Sequence, residues 1–276
     1  MFLVNGSPCN EININDRGLQ YGDGLFETIA VEKSSLLCWD EHLNRLQLGC
    51  KRLKISIPDK KILEDETSSL IKSVDRGVIK IIITRGQGGR GYALPSNVEP
   101  SRIISLYPWP EYPNENYSSG INVRICDYRY VQNSALAGIK HLNRLEQVLA
   151  RSEWTDNSIT EGFVMDQEGN VIEGTMSNFF CFINGTLCTP DLSACGVDGI
   201  IRDKIIELAP DLKIDIEIEI KKISLETLNN ADEVFVCNSI MGVCPVKMID
   251  KKIFSVSAKT QQIIKALQER HYISSP

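Results

Sequence analysis

Ala137-Gly-Ile-Lys140-His-Leu-Asn-Arg144, continued by Leu145-Glu-Gln-Val-Leu149, places one lysine between a small-residue approach and an amphipathic run. Leu142, Leu145, Val148 and Leu149 recur at helical spacing, which predicts a helix with one apolar face. An amine at such an element start, its stem in apolar surroundings, has its pKa pulled down by desolvation. A neutral lysine amine can condense with an aldehyde and later act as a base. A surface lysine at a helix start looks the same, so the rest of the chain has to decide between the two.

The chain is long enough, at 276 residues, for one large or two moderate domains. Its 42% hydrophobic and 24% charged residues are those of an ordinary globular protein. A net charge of −6 with no basic block argues against a nucleic-acid surface. Met1-Phe-Leu-Val is followed at once by the turn pair Asn5-Gly6, unlike a signal peptide, and no apolar run approaches a membrane span. A cytoplasmic protein without membrane contact is expected. Nine scattered cysteines with no Cys-x-x-Cys pair, and only three histidines, make disulfide scaffolding and a metal site poor expectations.

Outward from Lys140 the chain reads as α+β, with prominent hairpins. Phe2–Val4, Asn5-Gly6 and Glu11–Ile14 suggest a first hairpin. Asp16-Arg-Gly-Leu-Gln-Tyr-Gly-Asp-Gly-Leu-Phe-Glu-Thr28 is a tightly bent stretch whose polar groups should pair internally. Asp40 is placed to cap a helix with Leu43, Leu46, Cys50 and Leu53 on its apolar face, and His42 and Arg45 ride on it. A second helix should span 59–74. Val78 to Thr84 predicts a central strand, followed by the glycine-rich Arg85-Gly-Gln-Gly-Gly-Arg-Gly-Tyr92, which lacks the Gly-Lys-Ser/Thr ending of a nucleotide loop.

Residues 108–120, rich in proline and polar groups, read as a linker between an N-terminal lobe, 1–107, and a C-terminal lobe, 121–276, that would present Lys140. In the second lobe two hairpins flank Glu173-Gly-Thr-Met-Ser-Asn178. Gly196-Val-Asp-Gly199 precedes a helix from Ile200 to Leu208. Ile214, Ile216, Ile218 and Ile220 alternate as a half-exposed strand, Val234–Cys237 forms a buried one, and 257–268 a closing helix.

A lysine that condenses with pyridoxal chemistry needs a carboxylate at the ring nitrogen, plus a helix N-terminus and an arginine for a phosphate. Glu173 suits the first need, the amides at Ile200 and Ile201 the second, and Arg45 and Ser239 could complete an anion cup. Each feature alone is also ordinary surface or turn chemistry.

Five ordered motifs tie them together: Asp16-Arg-Gly with Tyr21-Gly-Asp-Gly-Leu-Phe-Glu-Thr28, Glu41-His-Leu-x-Arg45-Leu, Lys140-x-x-Asn143, Glu173-Gly-Thr-x-Ser-Asn178 and Gly199-Ile-x-Arg202. In this order they resemble the fold-type IV pyridoxal-phosphate enzymes, which include the branched-chain and D-amino-acid aminotransferases. Thr84–Tyr92 and Ala137–Leu149 are most similar to the aminodeoxychorismate lyase branch. The resemblance implies a two-lobed, D-amino-acid-aminotransferase-like architecture, pyridoxal 5'-phosphate as cofactor, and conversion of 4-amino-4-deoxychorismate to 4-aminobenzoate and pyruvate.

It also implies roles. Lys140 would hold the cofactor and move the substrate's C4 proton, and Glu173 would pair with the pyridine nitrogen. Arg45, the backbone at Ile200 and Ile201, and Ser239 would bind the phosphate; a threonine hydroxyl often found in aminotransferases at the position of Ile201 is missing here. Met176 and Val197 would lie against the ring, Thr28 would assist the leaving group, and Phe26 would line the substrate pocket. Arg90 and Tyr92 match a loop that crosses a dimer interface to meet a substrate carboxylate. A homodimer with shared active sites, and a functional link to the synthase that makes the substrate, follow from the same resemblance. The competing readings are an aminotransferase of the same fold, sharing Lys140 and Glu173, and a non-catalytic cofactor-binding dimer.

Overall fold

The computed structural model describes residues 1–211 and 217–275. The chain forms two compact units, Met1–Pro110 with Ile139–Asn143, and Glu111–Gly138 with Arg144–Pro276.

The first unit is built on one antiparallel sheet. Its elements are β1 (Phe2–Val4), β2 (Ser7–Pro8), α1 (Arg17–Tyr21), β3 (Gly24–Glu32), β4 (Ser35–Leu36), α2 (Trp39–Leu53), α3 (Lys60–Ile71), β5 (Arg76–Thr84) and β6 (Ser101–Pro108). The strand order is β2-β1-β6-β5-β3-β4, so the isoleucine-rich β5 is internal, as its sequence predicts. Alternation gives β3 two unlike faces. Leu25, Glu27, Ile29 and Val31 are buried, and α2 packs on this strand; Phe26 and Thr28, on the other face, are only half-buried.

Two local expectations fail for identifiable reasons. Asn5 and Gly6 both take left-handed φ, and Val4 pairs with Ser7, so the return strand is Ser7–Pro8 rather than Glu11–Ile14. Helix α2 starts one residue before Asp40, after a left-handed Cys38; Asp40 instead lies in the first turn with Glu41, where the helix dipole favours an acid.

The Lys140 stretch also differs from its expected form. β4 pairs only with Val31 and Glu32, leaving the opposite end of that β3 edge without a strand. Ile139–Asn143 fills the gap: Phe26 N–H donates to Lys140 O and Leu142 N–H to Gly24 O, both at 2.9 Å, and Leu25 bridges His141. Backbone groups that would otherwise lack partners decide the conformation against the helical pattern. The stretch therefore belongs with the first unit.

The second unit contains α4 (Glu115–Ser118), β7 (Ile121–Tyr130), α5 (Leu145–Arg151), β8 (Glu161–Asp166), β9 (Val171–Gly174), β10 (Asn178–Ile183), β11 (Thr186–Pro190), α6 (Ile200–Leu208), β12 (Ile218–Lys221), α7 (Leu225–Asn229), β13 (Glu233–Asn238), β14 (Gly242–Ile249), β15 (Lys252–Ile253) and α8 (Ala258–Glu269). A mixed sheet runs β12-β11-β10-β13-β14-β7-β8-β9, with β15 paired to β14. Phe163, Phe179, Phe180, Phe182 and Phe235 are fully buried in it. The expected strand at 214–220 appears only as β12; Ile214 and Ile216 lie outside the described residues. In α5 only Ala150 is buried, while Leu145, Val148 and Leu149 are 68%, 59% and 46% exposed.

Candidate active site

In the first unit, the pairing of 139–142 with β3 fixes Lys140 beside Phe26. Its Nζ lies 4.5 Å from the Phe26 ring centroid. Thr28, two residues along the same face, stands opposite Lys80 of β5, whose Nζ is 5.2 Å from the same ring. One half-buried sheet face thus carries two amines, an aromatic ring and a hydroxyl. Lys80 was not among the residues expected, although it is the only charge within Val78–Thr84, and a lone charge in a buried strand is itself a signal.

On the other face of β3, Arg45 meets a buried acid. Its Nε donates to Glu27 Oε1 at 2.9 Å and its Nη2 to Oε2 at 2.5 Å, while His42 Nδ1 donates to Oε2 at 2.6 Å. Burial alone would raise the Glu27 pKa, but the charge of Arg45 and the hydrogen bonds from His42 and Arg45 hold it down to about 2. Burial pushes the His42 pKa below its ordinary value despite the neighbouring carboxylate. His42 is therefore neutral at pH 7, protonated on Nδ1.

The acidic and glycine-rich stretches fold as one polar knot. Asp16 caps α1 through Gly18 N and accepts from Thr84 and Ser101; Asp23 is held by Arg17 and by Nε and Nη2 of Arg85. Arg17 Nη1 also donates to Gly91 O at 2.9 Å, and Gly91 N–H donates to the Tyr21 hydroxyl. The loop is thereby pinned between Arg90 and Tyr92, both exposed, Tyr92 by 86%. The Tyr92 ring packs edge-on against Tyr21, with centroids 5.7 Å apart.

In the second unit, Glu173 ends β9 almost fully buried. Its Oε2 accepts from Val197 N–H at 2.9 Å and from Asn178 Nδ2 at 3.4 Å, and the same Nδ2 donates to Val197 O at 2.9 Å. Val197 is held in turn by a parallel bridge to Gly138. Beneath the turn that follows Glu173 lies Glu161, with no exposure, accepting from Thr175 N–H and hydroxyl, Met176 N–H and Ser177 hydroxyl. Sequence reading passed over Glu161, which is separated from the motif it supports by 11 residues.

Helix α6 opens at Gly199 with no side chain capping its first amides, those of Ile200 and Ile201 among them. Arg202 is buried against Thr189 Oγ1 and Pro190 O. Ser239 is half-buried in the turn after β13, and its neighbour Asn238 ties that turn to Met176 O at 3.1 Å. So Glu173 and Val197 are joined directly, Met176 and the Ser239 turn through Asn238, and the α6 amides stand ready for an anion. Among the described residues no cluster suited to a metal ion occurs, and no helix is long and apolar enough to cross a membrane.

Known proteins give this geometry a context. The profile of the family Amino-transferase class IV matches residues 24–249. An aminodeoxychorismate lyase from Vibrio harveyi is 38% identical over 251 residues, 90% of this chain and 91% of the relative. The crystal structure of 4-amino-4-deoxychorismate lyase from Pseudomonas aeruginosa superposes with a TM-score of 0.93 at 40% identity, covering 99% of this chain and 100% of that one. A putative branched-chain-amino-acid aminotransferase from Methanocaldococcus jannaschii is 30% identical over 97% of this chain and 93% of its own length. With the fold-type IV, α+β architecture matched from end to end, the chain belongs to the class IV amino-transferase family.

Proposed function

We propose that the protein is a pyridoxal-phosphate-dependent carbon–oxygen lyase that converts 4-amino-4-deoxychorismate to 4-aminobenzoate and pyruvate. The observation that carries this reading over an aminotransferase is the higher identity to the two lyases, sustained along nearly the whole chain.

The residues fit the cofactor. An amine held beside an aromatic ring, a buried carboxylate with its orientation set by an amide N–H, and an uncapped helix start are the donors and acceptors such a group needs. Gly199 supports the fit: a Cβ there would stand 1.9 Å from Asn178 Oδ1, so only glycine lets the α6 amides sit this close to the Glu173 network.

When bound, the cofactor supplies an electron sink for the charge left when a proton leaves the carbon bearing the amine. Lys140 takes the proton from the substrate's C4. Glu173 would hold a proton on the pyridine nitrogen, and the Val197 N–H keeps its carboxylate oriented. Arg45, the Ile200 and Ile201 amides and Ser239 would bind the phosphate, and Val197 and Met176 would lie against the ring. Lys140 would return that proton through the Thr28 hydroxyl, which gives its own proton to the departing C3 oxygen and takes one back from the lysine; loss of the group as an enol, which becomes pyruvate, leaves an aromatic ring and makes the elimination one-way. Lys80 and Arg90 steer the two substrate carboxylates, with Phe26 and Tyr92 shaping the approach.

The exposed apolar face of α5, Leu145, Val148 and Leu149, supports a homodimer, because a patch of this kind on a soluble chain calls for a cover. Nine unpaired cysteines suit the reducing cytoplasm. The function is tested on purified, cofactor-loaded protein supplied with aminodeoxychorismate. Equal amounts of 4-aminobenzoate and pyruvate, abolished in Lys140→Ala, are expected; turnover of an amino acid with a keto acid and no 4-aminobenzoate would make the protein an aminotransferase.

A further inference from the structure

We infer that Glu27, itself held by His42, is a positioning residue that aims the Arg45 guanidinium at the cofactor's phosphate. The inference rests on the reading of Arg45 as a phosphate ligand.

The cluster is graded from inside to outside. Glu27 and His42 are each 1% exposed at the side chain, whereas Arg45 is 10% exposed. The guanidinium is the end of the cluster that reaches outward. Glu27 grips it along the Nε–Nη2 edge with two charge-assisted bonds. Such a grip sets the plane of the planar fork and turns Nη1 away from the carboxylate. A single bond, or a lysine in place of the arginine, would leave the charge free to swing.

Glu27 is fixed in its turn. Its backbone is internal to β3, paired with Ile81 of β5, and His42, rooted in α2, donates to Oε2. His42 Nε2 is buried with no hydrogen-bond partner among the described residues, so the ring spends one of its two polar atoms to make this single contact. That loss is hard to explain unless the position of Glu27 matters. Because His42 is neutral, the cluster sums to zero charge. Arg45 is therefore compensated before any phosphate arrives and does not have to be ordered on binding.

The experiment compares binding of pyridoxal phosphate with binding of pyridoxal, which lacks the phosphate, by titration of the apoprotein. Arg45→Ala should abolish the preference for the phosphorylated form. Glu27→Gln, nearly isosteric, should weaken pyridoxal phosphate by about tenfold or more while leaving pyridoxal within about twofold, the loss expected when a charge-assisted pair is misaligned. In Glu27→Gln/Arg45→Ala the loss should be no greater than in Arg45→Ala alone. His42→Phe should move the same ratio in the same direction by a smaller factor, and serves if Glu27→Gln does not fold.

Equal weakening of both ligands, no change, tighter binding of pyridoxal phosphate, or additive losses in the double variant would each overturn the positioning role. If Arg45→Ala itself keeps the preference, the phosphate role of Arg45 falls, and the inference with it. A preference lost in Arg45→Ala but intact in Glu27→Gln and His42→Phe removes the inference alone.

Discussion

Lys140 and Phe26 are joined twice: the Phe26 amide donates to the Lys140 carbonyl at 2.9 Å, and the Lys140 Nζ lies 4.5 Å from the Phe26 ring centroid. The backbone bond sets where the lysine stem starts, and the ring sets where its amine ends. Phe26→Ala keeps the first and removes the second. Since misplacing a reacting group by about 1 Å can cost up to about 10²-fold in rate, kcat should fall roughly tenfold with the fold intact by circular dichroism. An unchanged kcat would mean the ring does not place the amine.

Thr28 shares that sheet face, directly opposite Lys80. Thr28→Val preserves shape and β-branching but removes the only proton the residue can give. If the hydroxyl protonates the leaving oxygen, 4-aminobenzoate formation should slow by about 10²–10⁴ in kcat, the range typical of a lost general acid, while KM changes little. A rise in KM at constant kcat would assign Thr28 to substrate binding instead.

The buried trio of Glu27, His42 and Arg45 makes stability depend on pH in two steps. The His42 pKa is lowered in the fold, by burial first and by the nearby charges of Arg45 and Lys140, against an ordinary value of 6.5. Below that value the unfolded chain takes a proton that the fold refuses, so stability is full above it and declines as pH falls. The slope from this group is at most about 1.4 kcal/mol per pH unit. Glu27, held down to about 2 against its ordinary 4.5, adds a second loss between those two values. Urea titrations from pH 7 to pH 5 on wild type and His42→Asn test the first step; with only three histidines in the chain, the slope should flatten clearly in the variant. Parallel slopes would exclude His42 as their source.

What could be read from the sequence divides along the range of the interactions. The central strand Val78–Thr84, the helix opening at Gly199 and the hairpin ending at Glu173 are set by local composition and turn chemistry, and all three appear. The helical spacing of Leu145, Val148 and Leu149 is realised in α5, but the conformation of Lys140 and Leu142 was not legible, because it is set by pairing with an edge of β3 that lies more than 100 residues earlier. Glu161 and Lys80 were missed for the same reason: each acts through partners on another strand or turn. Motif resemblance named Arg45 but could not supply Glu27 and His42 as its partners, which only the packing of α2 on β3 brings within 2.9 Å.

The seven buried cysteines are expected to be inert in the fold. Cys9 is exposed and Cys38 half-buried; the other seven are buried. Burial pushes Cys50 up to about 11 and Cys126, Cys181, Cys195 and Cys244 up to about 12, and raises Cys188 and Cys237 as well. Thiols held this far above neutrality carry almost no thiolate. A native thiol titration at pH 8 should count Cys9 rapidly and Cys38 slowly, with the remainder released only by denaturant. Rapid reaction of a buried thiol under native conditions would show that the structure around it opens.

Gly199 offers a test of the network that aims Glu173. A Cβ on Gly199 would fall 1.9 Å from Asn178 Oδ1, and the Asn178 amide in turn bonds Val197 O and Glu173 Oε2. In Gly199→Ala either the start of α6 or the Asn178 side chain must move, at a cost of about 1–3 kcal/mol from overpacking. Cofactor retention should fall along with the melting temperature, because both routes disturb groups assigned to the cofactor. Shortening the obstructing residue discriminates the cause: Asn178→Ser removes Oδ1, so Gly199→Ala introduced on that background should cost clearly less than on wild type. If the two substitutions instead add in full, the contact with Asn178 is not what requires glycine, and the backbone at 199 must be constrained from its other side.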